Sequence, residues 1–325
     1  MSRRVAAIDC GTNSLRLLIA DADPVRHELT DLKRRMEIVR LGQGVDATGR
    51  LAPEALDRTM RMLAEYARDI MAAGAVAVRM VATSATRDAA NAADFTSGVE
   101  VTLGVLPEVI SGQEEAALSF AGATAELSAE PPPGAGPRPD PPFLVVDIGG
   151  GSTEFVLGKA GASPECSTDL AAISVDVGCV RLTERHLHTD PPTAAEIAAA
   201  SSDIDRALDD VSAALAVEEA RTLVGLAGSV TSVTAIALGL ETYDPSRTHH
   251  ARIPASTVHA VTAQLLAQTR QQRAAIGSLH PGRVDVIAAG SLVLDRVMQR
   301  FGFADVVASE HDILDGIAWS IAGSG

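Results

Sequence analysis

Two stretches of the chain share one pattern of apolar and polar positions. Residues 5–21 (VAAIDCGTNSLRLLIAD) and 143–159 (FLVVDIGGGSTEFVLGK) each carry an apolar run, then D-x-G with small polar residues, then a second apolar run. They align without a gap at an offset of 138, placing Asp9 on Asp147, Gly11 on Gly149, Ser14 on Ser152 and Arg16 on Glu154. Apolar run, turn chemistry and apolar run predict strand, tight turn, strand. Two copies predict a duplicated α/β domain with a cleft between the halves.

The segments after each copy extend the pattern. In the first half, 36–42 reads as a third strand, 53–73 as a helix with Pro53 at its start and Gly74 at its end, 76–84 and 101–110 as strands, and 112–127 as a closing helix. In the second half, 167–177 reads as the third strand and 179–188 and 193–217 as helices. Residues 221–229 read as a strand running into a helix, 254–302 as mainly helical, 304–309 as a strand and 310–322 as a last helix. The proline- and glycine-rich stretch 129–142 marks a connector. The expected domains are therefore 1–128 and 143–309, with the final helix, 310–323, returning to the first.

Composition narrows the function. A chain of 325 residues, 46% hydrophobic with mean hydropathy +0.16, can bury two cores. No run of eighteen apolar residues appears, so no membrane helix is expected. The opening residues lack the pattern of a signal peptide, and the expected location is the cytoplasm. Net charge is 27 − 42 = −15 and aromatic content is 3%, which argue against nucleic-acid and membrane-surface binding. Cys10, Cys166 and Cys179 have no ligand or disulfide spacing and read as packing residues.

The chemistry concentrates in the two turns. Glycines and small hydroxyl residues let backbone amides converge on an anion. Gly11, Thr12, Asn13 and Ser14 form one such turn, and Gly149, Gly150, Gly151, Ser152 and Thr153 the other. Neither is a Walker A or Rossmann fingerprint. A carboxylate beside a phosphate cradle repels its ligand unless a divalent cation intervenes. Asp147 and Glu154, flanking the second turn, are therefore candidates to hold Mg²⁺, and Asp9 a third. Gly225, Gly228, Ser229 and Thr231 make a further small-residue turn, where Gly228 and Ser229 at a helix start are candidate phosphate binders.

In SGQEEA, Ser111 is placed to cap the following helix with Glu114 completing a capping box. That leaves Glu115, about a hundred degrees round, free for chemistry. Arg87, in TSATRD, offers a guanidinium suited to phosphate. Ser309 and Asp312 make an S-x-x-D capping box for the last helix. Lys33, Arg34, Arg35, Arg181, Arg185, Arg252, Arg283, His249 and His250 are basic groups available to line a channel, with Arg16 and Arg181 the preferred pair.

DCGTNS, TSATRD, SGQEEA, DIGGGSTE and GLAGSVTS occur in an order that resembles the exopolyphosphatase/guanosine pentaphosphate phosphohydrolase (Ppx/GppA) family, in particular its short actinobacterial-type members. The resemblance covers essentially the whole chain. It implies the actin/sugar-kinase/heat-shock-chaperone ATPase fold, with two ribonuclease-H-like domains. It also implies Glu115 as general base, Arg87 near the reacting phosphate and a last helix returning to the first domain. The implied activity is Mg²⁺-dependent hydrolysis of the terminal phosphoanhydride of polyphosphate, by a homodimer. Larger members carry a long helical C-terminal extension that helps retain polymer, so a chain of this length is expected to favour shorter substrates. Guanosine pentaphosphate is the alternative substrate. A kinase-like phosphotransferase lacks an evident acceptor site, and a weakly catalytic nucleotide- or polyphosphate-binding sensor is the reading from another class.

Overall fold

The computed structural model describes residues 2–125 apart from 24 and 27, then 127, 139–159 and 170–322. Residues 129–138 of the expected connector, Cys166, and 167–169 of the expected strand lie outside these. The chain divides into two compact units, Met1–Gly122 with Asp312–Gly325, and Ala123–His311.

The first unit is a five-stranded sheet in the order β3-β2-β1-β4-β5, from β1 (Arg3–Cys10), β2 (Ser14–Asp23), β3 (Glu28–Ile38), β4 (Ala77–Ala82) and β5 (Glu108–Val109). β1 pairs antiparallel with β2 and parallel with β4. Its near-continuous apolar sequence follows from burial on both faces. Ala6, Ile8 and Cys10 face a core shared with α2 (Pro53–Ala73) and α4 (Ala92–Leu103), through Leu63, Tyr66, Phe95 and Val99. Val5 and Ala7 face Leu118 of α5 (Gly112–Thr124) and Ile313, Leu314 and Ile317 of the chain's last helix, α13 (Ile313–Ala322). Two short helices complete the unit, α1 (Val45–Thr48) and α3 (Ser84–Arg87).

Two expected strands change here. The third strand is 28–38, not 36–42. It is an edge strand with both faces largely exposed, so ELTDLKRRMEI carries no hydrophobic signature. Residues 39 and 40 instead bond back to the first turn, both amides donating to Asn13 O. The stretch 101–110 is the end of α4 followed by the two-residue β5, because Gly104 closes the helix in a left-handed conformation (φ 72°).

The cap of α13 is also shifted. Asp312 Oδ1 accepts from Leu314 N at 3.1 Å, and Asp315 Oδ2 accepts from Asp312 N at 3.0 Å. Asp312 and Asp315 form the reciprocal pair, whereas the Ser309 hydroxyl is engaged with His311. At α5 half of the expected box forms. Ser111 Oγ accepts from Glu114 N at 3.2 Å, while the Glu114 carboxylate takes a bond from Arg79 at 2.8 Å.

The second unit repeats the first. Its sheet runs β10-β11-β9-β6-β7-β8, from β6 (Phe143–Ile148), β7 (Thr153–Gly158), β8 (Ala171–Val175), β9 (Thr222–Leu226), β10 (Arg252–Pro254) and β11 (Asp305–Ala308). Read from β8, the order β8-β7-β6-β9-β11 matches β3-β2-β1-β4-β5, with β10 added on the edge. Its helices are α6 (Cys179–His186), α7 (Ala194–Ala214), α8 (Ala227–Ala237), α9 (Pro245–Thr248), α10 (Ala255–Ala267), α11 (Arg270–Ala274) and α12 (Ile287–Phe301). α7 starts on a full capping box, Thr193 with Glu196. Leu144, Val146 and Phe155 of the sheet pack with Ile204, Leu208 and Val297 of α7 and α12 in one core.

Candidate active site

The aligned turns adopt one backbone bond. Gly11 N donates to Ser14 O at 3.0 Å, and Gly149 N to Ser152 O at 3.0 Å. What surrounds them differs. In the second turn, Gly149 O accepts from Cys179 N, Gly150 O from Val180 N and Arg181 N, and Gly151 O from Arg181 Nε at 2.6 Å. A planar trans peptide sets its C=O and the next N–H in opposite directions. Three carbonyls held by α6 therefore aim the amides of Gly150, Gly151 and Ser152 away from it, as a concave anion cradle does. The start of α6 approaches closely because Gly178 lacks a side chain; a Cβ there would lie 2.4 Å from Gly150 O.

In the first turn, Thr12 O accepts from Gly42 N, and Asn13 O from Val39 N and Arg40 N. These bonds aim two amides, those of Asn13 and Ser14, the opposite way. The Thr153 hydroxyl donates to Val177 O at 2.6 Å, and so serves the packing of β7.

The charges beside the turns also differ. Asp9 stands directly across the antiparallel pair from Arg16, whose Nη1 lies 3.5 Å from Asp9 Oδ2. Arg16 also makes a short ion pair with buried Asp312. In the second unit Asp147 stands across from Glu154, and both are buried. Facing carboxylates on adjacent strands repel. Ser174 Oγ donates to Glu154 Oε1 at 2.7 Å and orients one of them.

This pair of hard oxygen donors fits Mg²⁺, which takes one or two carboxylates and completes its shell with phosphate and water. No cluster of three or more acidic, histidine or cysteine side chains suited to a metal occurs among the described residues.

In the first unit, Glu115 sits in the first turn of α5 and is buried. Its Oε2 accepts from Arg87 Nη1 at 2.6 Å, and the same nitrogen donates to Ile110 O at 3.0 Å. Burial pushes the Glu115 carboxyl above the usual range, against the opposing pull of the Arg87 charge and of hydrogen bonds from Arg87 and Thr83. A raised carboxyl holds a proton more strongly than an ordinary one, which is the direction general-base work requires. Thr83 opens the TSATRD motif but was not singled out from sequence, since a lone buried hydroxyl has no pattern.

The third turn lies between β9 and α8. Ala227 takes a left-handed conformation there (φ 65°), which is costly for a residue with a Cβ. Arg283 lies flat over Gly228, its Cζ 2.4 Å from where a Cβ would stand, and donates to Ser232 Oγ at 3.1 Å. Ser229 is buried against Gly290 and hydrogen-bonds Cys179, so its hydroxyl faces packing.

Several basic groups proposed for a channel are bound to acids instead. Lys33 and Arg35 pair with Asp69, Arg34 with Asp31 and Asp315, Arg185 with Asp203, and Arg252 with Asp305. His249 stacks on His250 at 3.7 Å, and its Nδ1 accepts from Glu310 N.

Two repeated α/β units, each presenting a glycine turn at a strand end, define a protein of the actin-like ATPase fold. The sequence model of the Ppx/GppA phosphatase family matches residues 18–324, and the chain belongs to that family. It is 49% identical to exopolyphosphatase 2 of Mycobacterium tuberculosis, over 98% of this chain and 99% of that one. A crystal structure of an exopolyphosphatase-like protein superposes with a TM-score of 0.90 at 42% identity, covering 98% of each chain. The guanosine-5'-triphosphate,3'-diphosphate pyrophosphatase of Aeromonas salmonicida is 28% identical over 98% of this chain and 59% of its own.

Proposed function

We propose that this protein is an exopolyphosphatase, a phosphoanhydride hydrolase that releases orthophosphate from the end of inorganic polyphosphate. The observation that carries the reading is Glu115, a buried carboxyl raised by its surroundings in the same unit as an amide-lined turn. The turns at Gly11–Ser14 and Gly149–Thr153 bind phosphate oxygens through their amides. Asp147 and Glu154 would hold Mg²⁺, and the ion would supply charge neutralisation to phosphate oxygens. Glu115 takes a proton from water as the water oxygen bonds to the terminal phosphorus. The P–O bond to the bridging oxygen breaks, and that oxygen keeps the electron pair.

The near-complete coverage of the M. tuberculosis relative supports polyphosphate as substrate. The Aeromonas relative favours a second reading, hydrolysis of the 5'-terminal phosphate of guanosine pentaphosphate at the same site. A cytoplasmic location and a homodimer are proposed with it, on the family resemblance. No helix among the described residues is long and apolar enough to cross a membrane.

The test is phosphate release from polyphosphates of several lengths, guanosine pentaphosphate and ATP, with Mg²⁺ and with chelator. Glu115→Gln is expected to lower kcat by about 10²–10⁴-fold, the usual worth of a general base, with folding unchanged. Near-normal turnover in that variant removes Glu115 from the chemistry.

A further inference from the structure

Arg87 holds Glu115 in a way that bears on when the base can act. One nitrogen, Nη1, bridges Glu115 Oε2 at 2.6 Å and Ile110 O at 3.0 Å. A carboxylate that accepts a charge-assisted hydrogen bond at that distance is a weaker base than its pocket alone would make it, because the proton it must take competes with a guanidinium. Yet Glu115 is buried, and burial alone raises its affinity for a proton. The ion pair thus suppresses a basicity that the pocket otherwise creates. An arriving phosphate end, carrying up to two negative charges on oxygens matched to a guanidinium fork, is a stronger partner for Arg87 than a single carboxylate.

We propose that Arg87 is a substrate-released latch on Glu115: the resting pair masks the base, and the terminal phosphate draws Arg87 away and frees the carboxylate to accept the proton of the attacking water. The inference rests on the reading of Glu115 as the base.

Other charged groups on the surrounding elements are engaged elsewhere. On α5, Glu114 pairs with Arg79 of β4, which also holds Glu108 of β5. Asp9 of β1 lies by Arg16, and Asp312 and Asp315 at the start of α13 are held by Arg16 and Arg34. Asp88, after α3, is exposed. Among these groups, Arg87 and Thr83 are the ones that act on Glu115.

The signature is a split between two pH profiles. The profile of kcat/KM reports the free enzyme and that of kcat the loaded one. In the wild type the acid limb of kcat lies at higher pH than that of kcat/KM, because Arg87 has left Glu115 in the complex. In Arg87→Gln the kcat/KM limb rises toward the kcat limb, and the kcat limb stays in place. Arg87→Lys keeps the charge and retains the split. Each comparison uses one polyphosphate, so the ionisation of the substrate cancels between variants.

If Arg87 stays on Glu115 through turnover, Arg87→Gln raises both limbs together, and the latch is refuted. If neither limb moves, Arg87 does not act on the base and the inference fails as well. Failure of the underlying reading looks different: Glu115→Gln then keeps its turnover and its acid limb.

Discussion

Alanine usually stabilises a helix relative to glycine by about 1 kcal/mol. Three helical glycines of the first unit separate that gain from its opposite. A Cβ at Gly122 of α5 would lie 1.8 Å from Asp312 O, and one at Gly316 of α13 would lie 2.0 Å from Leu118 O. The two helices therefore cross backbone to backbone. Ordinary contact begins near 3.4 Å, so α5 and α13 must separate by 3.4 − 1.8 = 1.6 Å or 3.4 − 2.0 = 1.4 Å along those contacts. Carbonyl oxygens cannot rotate aside as a side-chain end can.

Such overpacking costs about 3 kcal/mol at the upper end of its common range, and it also loosens Leu118 from Ile313, Leu314 and Ile317. Against the helix gain, Gly122→Ala and Gly316→Ala are each expected to lose about 2 kcal/mol. Gly98 of α4 is the control. There a Cβ meets Met60 Sδ at 2.9 Å, the far part of a flexible side chain. Gly98→Ala should be neutral or stabilise by up to about 1 kcal/mol. The chain's single tryptophan, Trp319, lies on α13, so its fluorescence during urea unfolding reads the unit in question. Midpoints for Gly122→Ala and Gly316→Ala at or above that of Gly98→Ala would refute the close crossing.

Two further outcomes follow from the ion pairs and the carboxylate pair. Asp312→Asn keeps a good helix cap while removing the charge that holds Arg16, and should cost about 3 kcal/mol by Trp319 unfolding. Arg16 holds the buried Asp312 carboxyl below the usual range. Its contribution is therefore full above an unfolded value of about 4 and lost as pH falls through the lower folded one. The gap between wild type and Asp312→Asn should accordingly narrow in acid, and a constant gap contradicts this. Glu154→Gln should raise the Mg²⁺ concentration for half-maximal activity by roughly 10-fold or more. An unchanged Mg²⁺ titration removes Glu154 from the metal site.

The family and the paired hairpins were legible in the sequence because β1, β2, β6 and β7 are buried on both faces, and burial writes itself as apolar runs around turn residues. β3 was misplaced for the converse reason: an exposed edge strand rich in charge leaves no such mark. The stretch 101–110 misled because VTLGVLPEVI has strand-like composition, while its conformation is decided by Gly104. The S-x-x-D signal at Ser309 marked the right helix but the wrong cap, since D-x-x-D three residues later satisfies the same amides. The Arg16–Asp312 pair joins positions 296 apart, and no local pattern can announce it.

That pair bears on why two aligned turns need not do one job. Both close with the same glycine-to-serine bond, so their backbones are nearly interchangeable. Their side chains are not. Across the first hairpin an arginine faces Asp9; across the second a glutamate faces Asp147. A cation such as Mg²⁺ gains most where two carboxylates already face each other, and least where a guanidinium competes for the site. Arg16 is shared between Asp9 and Asp312, which anchors its charge beside the first turn. On the proposed reading, the second turn binds phosphate through a metal and three outward amides, and the first through two amides beside an Asp9 carboxylate that Arg16 offsets. Of the positions at which the aligned turns differ, Arg16 against Glu154 is the one that changes the sign of the charge facing the strand-end aspartate.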